Sequence, residues 1–251
     1  MHPEFVEIGP ITIYWYGIMF ALAFVVAVLH WNRLARRDQR APDIGVDLAL
    51  WLLIGGIVGA RIAYVISDFD HFRQAPLEIL RIDQGGLIYY GGLIGASLAL
   101  ILCSRRRREP LWSLADFAVT ALPIGHALGR FGCFLNGCCF GTETDLAWGV
   151  FLHGAVRHPT PLYETAFNGL LYVVLLGAYF RKRRDGTVFA IYMMIYPAGR
   201  FVMEFLRGDE RVPGFGLNAA QDISLILFVI GILLWVFLPY RRHRHHGNHT
   251  R

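Results

Sequence analysis

The 251-residue sequence has few charged residues: Asp, Glu, Lys and Arg together make up 17% of it. An ordinary soluble domain carries about 25%. Apolar residues reach 55% even without glycine, and the mean hydropathy is +0.43. Four cysteines are too few for a disulfide scaffold in a chain of this length. These shortages disfavour a soluble enzyme, a disordered regulator and a coiled coil, and they indicate a protein of the lipid bilayer.

Basic residues are in excess, with a formal net charge of +5, but their placement argues against nucleic-acid binding. They concentrate in clusters that each follow a long apolar run, at residues 33–40, 105–108, 181–184 and 241–251. A nucleic-acid-binding surface would instead interleave basic residues with polar and aromatic ones. Clusters of this kind are typical of cytoplasmic loops under the positive-inside rule. We therefore expect membrane lipids, and no nucleic acid, among the partners of this chain.

Seven apolar stretches are long enough to approach the roughly 20 helical residues that cross a bilayer. We predict spans near residues 11–31, 47–66, 87–103, 114–134, 161–180, 187–206 and 221–238. Because basic clusters follow every odd span, the N-terminus is expected outside and the C-terminus in the cytoplasm. The predicted fold is an all-α integral membrane protein. We expect one transmembrane domain over residues 1–240, with a small outer head near 137–160, and a basic, His-rich cytoplasmic tail over 241–251.

Several charged residues fall inside the predicted spans, where each costs at least about 2.5–3.5 kcal/mol at the bilayer centre. The residues singled out are Arg61, Arg130, Arg200, Glu204 and Arg207. The spacing of four, four and three residues places Tyr196, Arg200, Glu204 and Arg207 on one helical face. Arg200 and Glu204 can neutralise each other, so the remaining arginine favours an anionic ligand. Phosphate suits the planar guanidinium group.

The fourth predicted span contains a proline and three glycines around Arg130. Pro123, Gly125, Gly129 and Gly132 predict irregular backbone there, which survives at membrane depth only beside protein or a water-filled cavity. Glycines also let a bulky ligand approach the backbone. The pattern favours a phosphate-holding corner near the outer boundary of the membrane.

Six blocks of the sequence resemble the bacterial prolipoprotein diacylglyceryl transferase family over residues 11–238. The blocks are Tyr-Trp-Tyr-Gly (14–17), Gly-Ala-Arg-Ile (59–62), Gly-Gly-Leu-Ile-Gly (91–95), Gly-Arg-Phe-Gly (129–132) with Asn136, Gly137 and Gly141, Leu-Tyr-Glu (162–164), and 196–207. The resemblance implies transfer of a diacylglyceryl group from phosphatidylglycerol to the lipobox cysteine in the signal peptide of lipoprotein precursors. It also implies the bacterial cytoplasmic membrane as the location, and no metal or organic cofactor.

The resemblance also implies roles for individual residues. Arg130 and Arg200 would face the phosphate, with Glu204 as the carboxylate that orients them, and Tyr16 would line the lipid site. The other residues expected to bind substrate are Arg61, Gly91, Gly92, Asn136, Tyr163, Glu164, Tyr196 and Arg207.

This sequence departs from the family pattern where thiol chemistry is concerned. Tyr90 stands where many members have histidine, and an unperturbed tyrosine, with a pKa of about 10, is a poor base at neutral pH. His126, one helical turn before Arg130, is the second candidate base, although such a histidine more often packs. Cys133 and Cys138 replace asparagine and glutamate. With the adjoining Cys139, we expect packing or one disulfide ahead of a metal site.

Three alternative functions stay open at this stage. A paralogue of the same fold could use the same lipid donor with another acceptor. A lipid or anion transporter would also have broken helices and intramembrane arginines, although the sequence has no visible inverted repeat. A thiol-redox or metal-handling membrane protein could be built on the cysteine cluster.

Overall fold

The computed structural model describes residues 4–8, 11–82, 85–152, 154–208 and 217–238, which are mainly helical. The helices are α1 (Trp15–Arg37), α2 (Ile44–Ser67), α3 (Phe69–Gln74), α4 (Tyr89–Arg107), α5 (Leu111–Val119), α6 (Leu122–Leu135), α7 (Thr160–Arg181), α8 (Thr187–Met203) and α9 (Ala219–Phe237). The strands are β1 (Glu4–Ile8), β2 (Ile11–Tyr14), β3 (Val150–Leu152) and β4 (Ala155–Arg157), and 3₁₀ helices cover Pro76–Leu80 and Glu204–Leu206.

Within the described residues, five helical segments are long and apolar enough to cross a bilayer. They are Trp15–Arg37, Ile44–Ser67, Leu111–Leu135, Thr187–Leu206 and Ala219–Phe237. Helices α4 and α7, of 19 and 22 residues, overlap the other two predicted spans. A largely helical, multi-pass membrane protein is thus confirmed, whereas the count of seven spans and the orientation of the termini stay predictions. The predicted tail over 241–251 lies outside the described residues.

The first helix begins later than predicted. Residues 11–14 form β2, which pairs antiparallel with β1 so that Ile13 lies opposite Val6 and Thr12 opposite Glu7. β-Branched and aromatic residues suit such a strand. Helix α1 begins at Trp15 and carries Arg36 and Arg37 in its last turn, where positive charge complements the helix dipole. The predicted start at residue 11 was wrong because apolar content alone does not separate a short strand from a helix.

The fourth predicted span consists of two helices. Helix α5 ends at Val119 and α6 begins at Leu122, so the break falls at Thr120 and Ala121. Pro123 lies in the first turn of α6, where a helix loses no hydrogen bond to a missing N–H. The helix then continues through Arg130 and its neighbouring glycines. The expectation of irregular backbone beside Arg130 was therefore wrong, and the interruption lies earlier.

The chain forms two compact units, one of residues 28–115 and one of residues 1–27 together with 116–251. In the first unit, α2 and α4 meet through glycines spaced by four residues. A Cβ atom on Gly59 of α2 would lie 2.7 Å from Cα of Gly95 on α4, and a Cβ atom on Gly95 would lie 2.8 Å from Cα of Gly59. Small residues at this spacing let two helix backbones approach closely in a membrane.

In the second unit, a buried carboxylate holds the start of α8. Asp116 is fully buried and accepts hydrogen bonds from the backbone N–H groups of Gly186 and Phe189, both at 2.9 Å. Lys182 Nζ donates to the same carboxylate at 3.0 Å. Asp116 thus satisfies N–H groups of the first helical turn from a position 70 residues away from Gly186 in sequence.

Candidate active site

One buried carboxylate links two of the predicted site arginines. Glu164 lies early in α7, and its side chain is 7% exposed. Glu164 Oε2 is 2.8 Å from Arg130 Nε on α6, and its Oε1 is 3.5 Å from Arg207 Nη1. A carboxylate this buried needs charged partners to offset its lost hydration. The bridge therefore joins α6, α7 and the segment that follows α8.

The predicted pair of Arg200 and Glu204 is present at the end of α8. Arg200 Nη1 lies 2.7 Å from Glu204 Oε2, one helical turn away. Helix α8 ends at Met203, however, and Arg207 has extended backbone with φ −74° and ψ 138° after a single 3₁₀ turn. The prediction that Arg207 shares the helical face was wrong, because the helix ends before it. The extended backbone instead pairs Arg207 with Gly141 in an isolated β-bridge.

Gly141 is the point where the chain after α6 meets the end of α8. Its backbone N–H donates to the carbonyl of His158 at 2.8 Å, and Thr142 N–H donates to the carbonyl of Leu206 at 2.9 Å. A Cβ atom at position 141 would lie 2.8 Å from Cβ of His158. This close approach requires glycine. It places Arg207 against the residues that lead from α6 into α7.

His126 and Tyr196 lie against each other in the same unit. Their ring centroids are 5.2 Å apart, and Tyr196 also stacks on Tyr192 at 5.2 Å. His126 Nδ1 is buried and has no hydrogen-bond partner among the described residues. The second candidate base is thus a buried imidazole one turn before Arg130.

Tyr16 and Tyr163 are held by other side chains of this unit. Tyr16 is nearly half exposed and stacks on Phe20 at 6.5 Å. Its backbone packs where glycine at position 132 leaves room, since a Cβ atom there would lie 3.5 Å from Cα of Tyr16. The Tyr163 hydroxyl accepts a hydrogen bond from Trp148 Nε1 at 2.8 Å. An exposed ring at the start of α1 is compatible with the lipid-lining role expected of Tyr16.

Arg61 belongs to the unit of residues 28–115, and all its N–H groups donate to backbone carbonyls of the segment between α3 and α4. Its five N–H groups serve the backbone carbonyls of Glu78 at 2.5 Å, Ile79 at 2.9 Å, Arg81 at 3.0 Å, and Gly85 and Gly86 at 3.1 Å each. The guanidinium also lies over the rings of Tyr64 and Phe72. A guanidinium has five N–H donors in all. This geometry gives Arg61 a loop-holding function, and its expected contact with substrate stays a prediction.

Tyr90, Gly91 and Gly92 lie at the start of α4 in that same unit. Tyr90 is 42% exposed, and its ring meets Tyr89 edge-on at 5.6 Å. A Cβ atom on Gly92 would lie 3.3 Å from the carbonyl oxygen of Gly56 on α2. The two glycines therefore serve the packing of α4 on α2, and their expected binding of substrate stays a prediction.

The three cysteines of the 133–139 segment converge. Their Sγ atoms all lie within 4.8 Å of one another, and all three are free thiols. Cys138 Sγ and Cys139 Sγ are 3.5 Å apart, and burial raises the pKa of Cys138 although the neighbouring Asn136 side chain opposes the shift. Hydrogen bonding from Cys133 and Cys138, aided by the charges of Arg130 and Arg207, outweighs burial and lowers the pKa of Cys139 to about 6. The three thiols thus lie close enough to Arg130 and Arg207 for the arginine charges to act on Cys139.

Comparison with known proteins identifies the family. A family profile described as prolipoprotein diacylglyceryl transferase matches residues 3–237. The chain belongs to the prolipoprotein diacylglyceryl transferase family. A relative from Synechococcus elongatus is 38% identical over 94% of this chain and 87% of its own length. One from Lactiplantibacillus plantarum is 35% identical over 99% and 92%. Both carry the name phosphatidylglycerol–prolipoprotein diacylglyceryl transferase.

Sequence reasoning missed how this family member satisfies its buried charges. Glu164 was expected to bind substrate, and Glu204 to orient Arg130, whereas Glu164 is the carboxylate 2.8 Å from Arg130. Asp116 was not singled out at all. Both residues lie inside predicted spans, at 161–180 and 114–134. The criterion that singled out the arginines, a charge at membrane depth, also applies to these two carboxylates.

Proposed function

We propose that this chain transfers the diacylglyceryl group of phosphatidylglycerol to the lipobox cysteine thiol of lipoprotein precursors and forms a thioether. The observation that carries the proposal is the Arg130–Glu164–Arg207 bridge, together with the Arg200–Glu204 pair that precedes Arg207 by three residues. The names of the relatives describe the same donor and acceptor.

The charges of these five residues suit an anionic phosphodiester. Three guanidinium groups and two carboxylates carry a formal charge of 3 − 2 = +1. The phosphate of phosphatidylglycerol carries one negative charge. The two carboxylates hold the three guanidinium groups in place. An arginine cluster of this kind binds phosphate and orients it through paired N–H donors.

In the proposed reaction, the acceptor sulfur bonds to the terminal glyceryl carbon while the bond from that carbon to the phosphate oxygen breaks. Glycerol phosphate leaves with the electron pair, so negative charge grows on the phosphate as the reaction proceeds. Fixed donors aimed at growing charge stabilise the transition state more than the ground state. The sulfur reacts as a thiolate, because a thiol is a weak nucleophile. Tyr90 and His126 are our candidates for the base.

We further propose seven spans in the bacterial cytoplasmic membrane, with the N-terminus outside and the C-terminus inside. Basic residues in the last turns of α1, α4 and α7 support this orientation. In a variant whose four native cysteines are serine, an impermeant thiol reagent applied to intact cells should label a cysteine introduced at Glu4 and not one introduced at Arg184. Labelling in the reverse order would contradict the orientation.

The transfer itself is tested with purified protein in detergent, phosphatidylglycerol and a lipobox peptide. We expect the peptide to gain the mass of a diacylglyceryl group, and a peptide with serine in place of cysteine to gain none. Arg200→Ala should lower the rate by roughly 10²–10³-fold, as for loss of one oxyanion donor. Arg73→Ala, at an exposed arginine of α3, is the control and should leave the rate unchanged. A folded wild-type protein that leaves the peptide unmodified would contradict the proposal.

A further inference from the structure

The three thiols of Cys133, Cys138 and Cys139 are arranged as ligands of one metal ion. Zinc binds thiolate sulfur at about 2.3 Å, so three sulfurs on one zinc ion lie roughly 4 Å from one another. All three Sγ atoms already lie within 4.8 Å of one another. Shifts of less than about 1 Å would bring them onto a common ion. Soft thiolate ligands select d¹⁰ cations such as Zn²⁺ and Cu⁺.

The backbone is bent to make this convergence possible. Neighbouring cysteines rarely bind one ion without strain, and Cys139 accordingly has a left-handed backbone conformation with φ +64°. The conformation is fixed from outside, since Thr160 Oγ1 donates to the carbonyl of Cys139 at 2.8 Å. A left-handed non-glycine residue costs of order 1–3 kcal/mol and commonly marks a functional site. Here the cost is already present in the chain before an ion binds.

The cluster is also reachable from outside the helices. Cys138 and Cys139 line an open cavity of about 350 Å³, together with Gly137 and Arg157, while Cys133 is buried beneath them at 8% exposure. Arg130 and Arg207 act electrostatically on Cys139. An ion held by the three sulfurs would therefore meet both the cavity and the arginine site.

We propose that Cys133, Cys138 and Cys139 bind one zinc-class d¹⁰ cation through three thiolates and leave its fourth coordination position for an external thiol. Three protein ligands with an open position are the arrangement of catalytic zinc sites, whereas structural sites have four. The external thiol is the acceptor cysteine, a part of the inference that rests on the proposed function. A metal ion deprotonates a thiol that coordinates it, which supplies the thiolate that Tyr90 is poorly suited to generate.

The acceptor thiol coordinates the ion and releases its proton to water. Its sulfur lone pair then forms the carbon–sulfur bond, and the glyceryl carbon–oxygen bond breaks towards the phosphate. Glycerol phosphate leaves as a dianion, the product sulfur becomes a neutral thioether, and the ion regains its open position. No oxidant or reductant is needed.

Metal binding is measured first, on the full-length protein purified in detergent with a phosphine reductant and stripped by a chelator. We expect one equivalent of Zn²⁺ in a competition titration. Cys133→Ser, Cys138→Ser and Cys139→Ser should each weaken binding by more than the roughly 10–100-fold lost when a contact behind a ligand is removed. Cys103→Ser, at a buried cysteine of α4, is the matched control and should bind like the wild type.

X-ray absorption on the zinc-loaded wild type tests the ligands directly and does not depend on variants that fail to fold. Three sulfur neighbours at about 2.3 Å are expected. No stoichiometric binding, fewer than three sulfurs, or unchanged affinity in folded serine variants would overturn the site. A disulfide between two of the three cysteines in protein alkylated directly in membranes would overturn it as well.

The fourth position is tested with Co²⁺-loaded protein and a peptide that contains a single cysteine. We expect the sulfur-to-cobalt charge-transfer absorption to rise by about one third as a fourth thiolate joins three, and a serine peptide to cause no rise. An unchanged spectrum would overturn the open position. This measurement requires no lipid, so its failure is distinct from a failure of transfer. Conversely, a chelated enzyme that keeps its full transfer rate would overturn the role of the ion and leave the proposed function intact.

Discussion

Replacement of Glu164 by glutamine tests the central contact of the proposed site. Glu164 is buried between Arg130 and Arg207, at 2.8 and 3.5 Å. Glutamine has nearly the same volume and keeps a side-chain oxygen close to Arg130 Nε, but it removes the negative charge. Alanine would be less informative, because it also removes the side-chain oxygen and leaves a cavity between the two arginines. Glu164→Gln therefore separates orientation of Arg130 from folding.

The expected loss of kcat in Glu164→Gln follows from the contact between Glu164 and Arg130. Ion pairs contribute about 0.2–1 kcal/mol at exposed sites and about 1.5 kcal/mol or more where the charges are close and buried. Glutamine keeps the shape of Glu164 and removes its charge, so it should lose about 0.8–1.5 kcal/mol from the positioning of Arg130. Since about 1.4 kcal/mol corresponds to a tenfold change in rate, kcat should fall about 4- to 13-fold. The Arg207 contact at 3.5 Å adds less.

The assay follows diacylglyceryl transfer to a lipobox peptide while the phosphatidylglycerol concentration is varied. If Glu164 orients Arg130 for the transition state, kcat and kcat/KM should fall together. Glu143→Gln is the control, because that carboxylate is 68% exposed and pairs with Arg157 at 3.3 Å. A raised KM with unchanged kcat would refute this reasoning and return Glu164 to the substrate-binding role expected from the sequence.

Three further substitutions test contacts that lie inside one or the other of the two compact units. Arg61→Lys leaves fewer donors than the loop carbonyls need, so limited proteolysis within residues 75–88 should accelerate while KM for the lipid stays unchanged. Asp116→Ala leaves two backbone N–H groups at the start of α8 without their acceptor and leaves Lys182 with the weaker Asp185 contact at 3.4 Å. Thermal unfolding in detergent should show a loss of roughly 2–5 kcal/mol, because each buried polar group left unsatisfied costs about 1–3 kcal/mol. Gly95→Ala should cost about 1–3 kcal/mol through overpacking against α2, whereas Gly169→Ala, which meets no atom within 4 Å, should cost nothing.

The helices could be predicted because bilayer physics acts on local composition. Long apolar runs ended by arginines give α1, α4 and α7 their last turns at Arg37, Arg107 and Arg181. The pair Arg200–Glu204 was also predictable, since a spacing of four residues on a helix is local information. Features of this kind need no knowledge of the tertiary fold.

The partners of isolated charges could not be predicted in the same way. Arg130 and Glu164 lie 34 residues apart and meet only because α6 and α7 pack side by side. Arg61 bonds to carbonyls, which every residue of the chain possesses, so its sequence context carries no sign of the loop it holds. The cysteine cluster depends on the left-handed backbone of Cys139, a conformation that favours glycine and is uncommon for cysteine.

The partners of each buried guanidinium group distinguish an arginine that holds a loop from one suited to bind an anion. Arg61 gives its donors to carbonyl dipoles, a complete set of contacts that leaves no N–H for a ligand. Arg130 and Arg207 instead share the carboxylate of Glu164 in a mostly buried setting. Guanidinium groups held in place by a carboxylate in such a setting are suited to bind a phosphate through paired N–H donors. Two intramembrane arginine sites of similar appearance in the sequence thus differ in structure: Arg61 is bonded to one loop of its own unit, whereas Arg130 and Arg207 form the site at which we propose that phosphate binds.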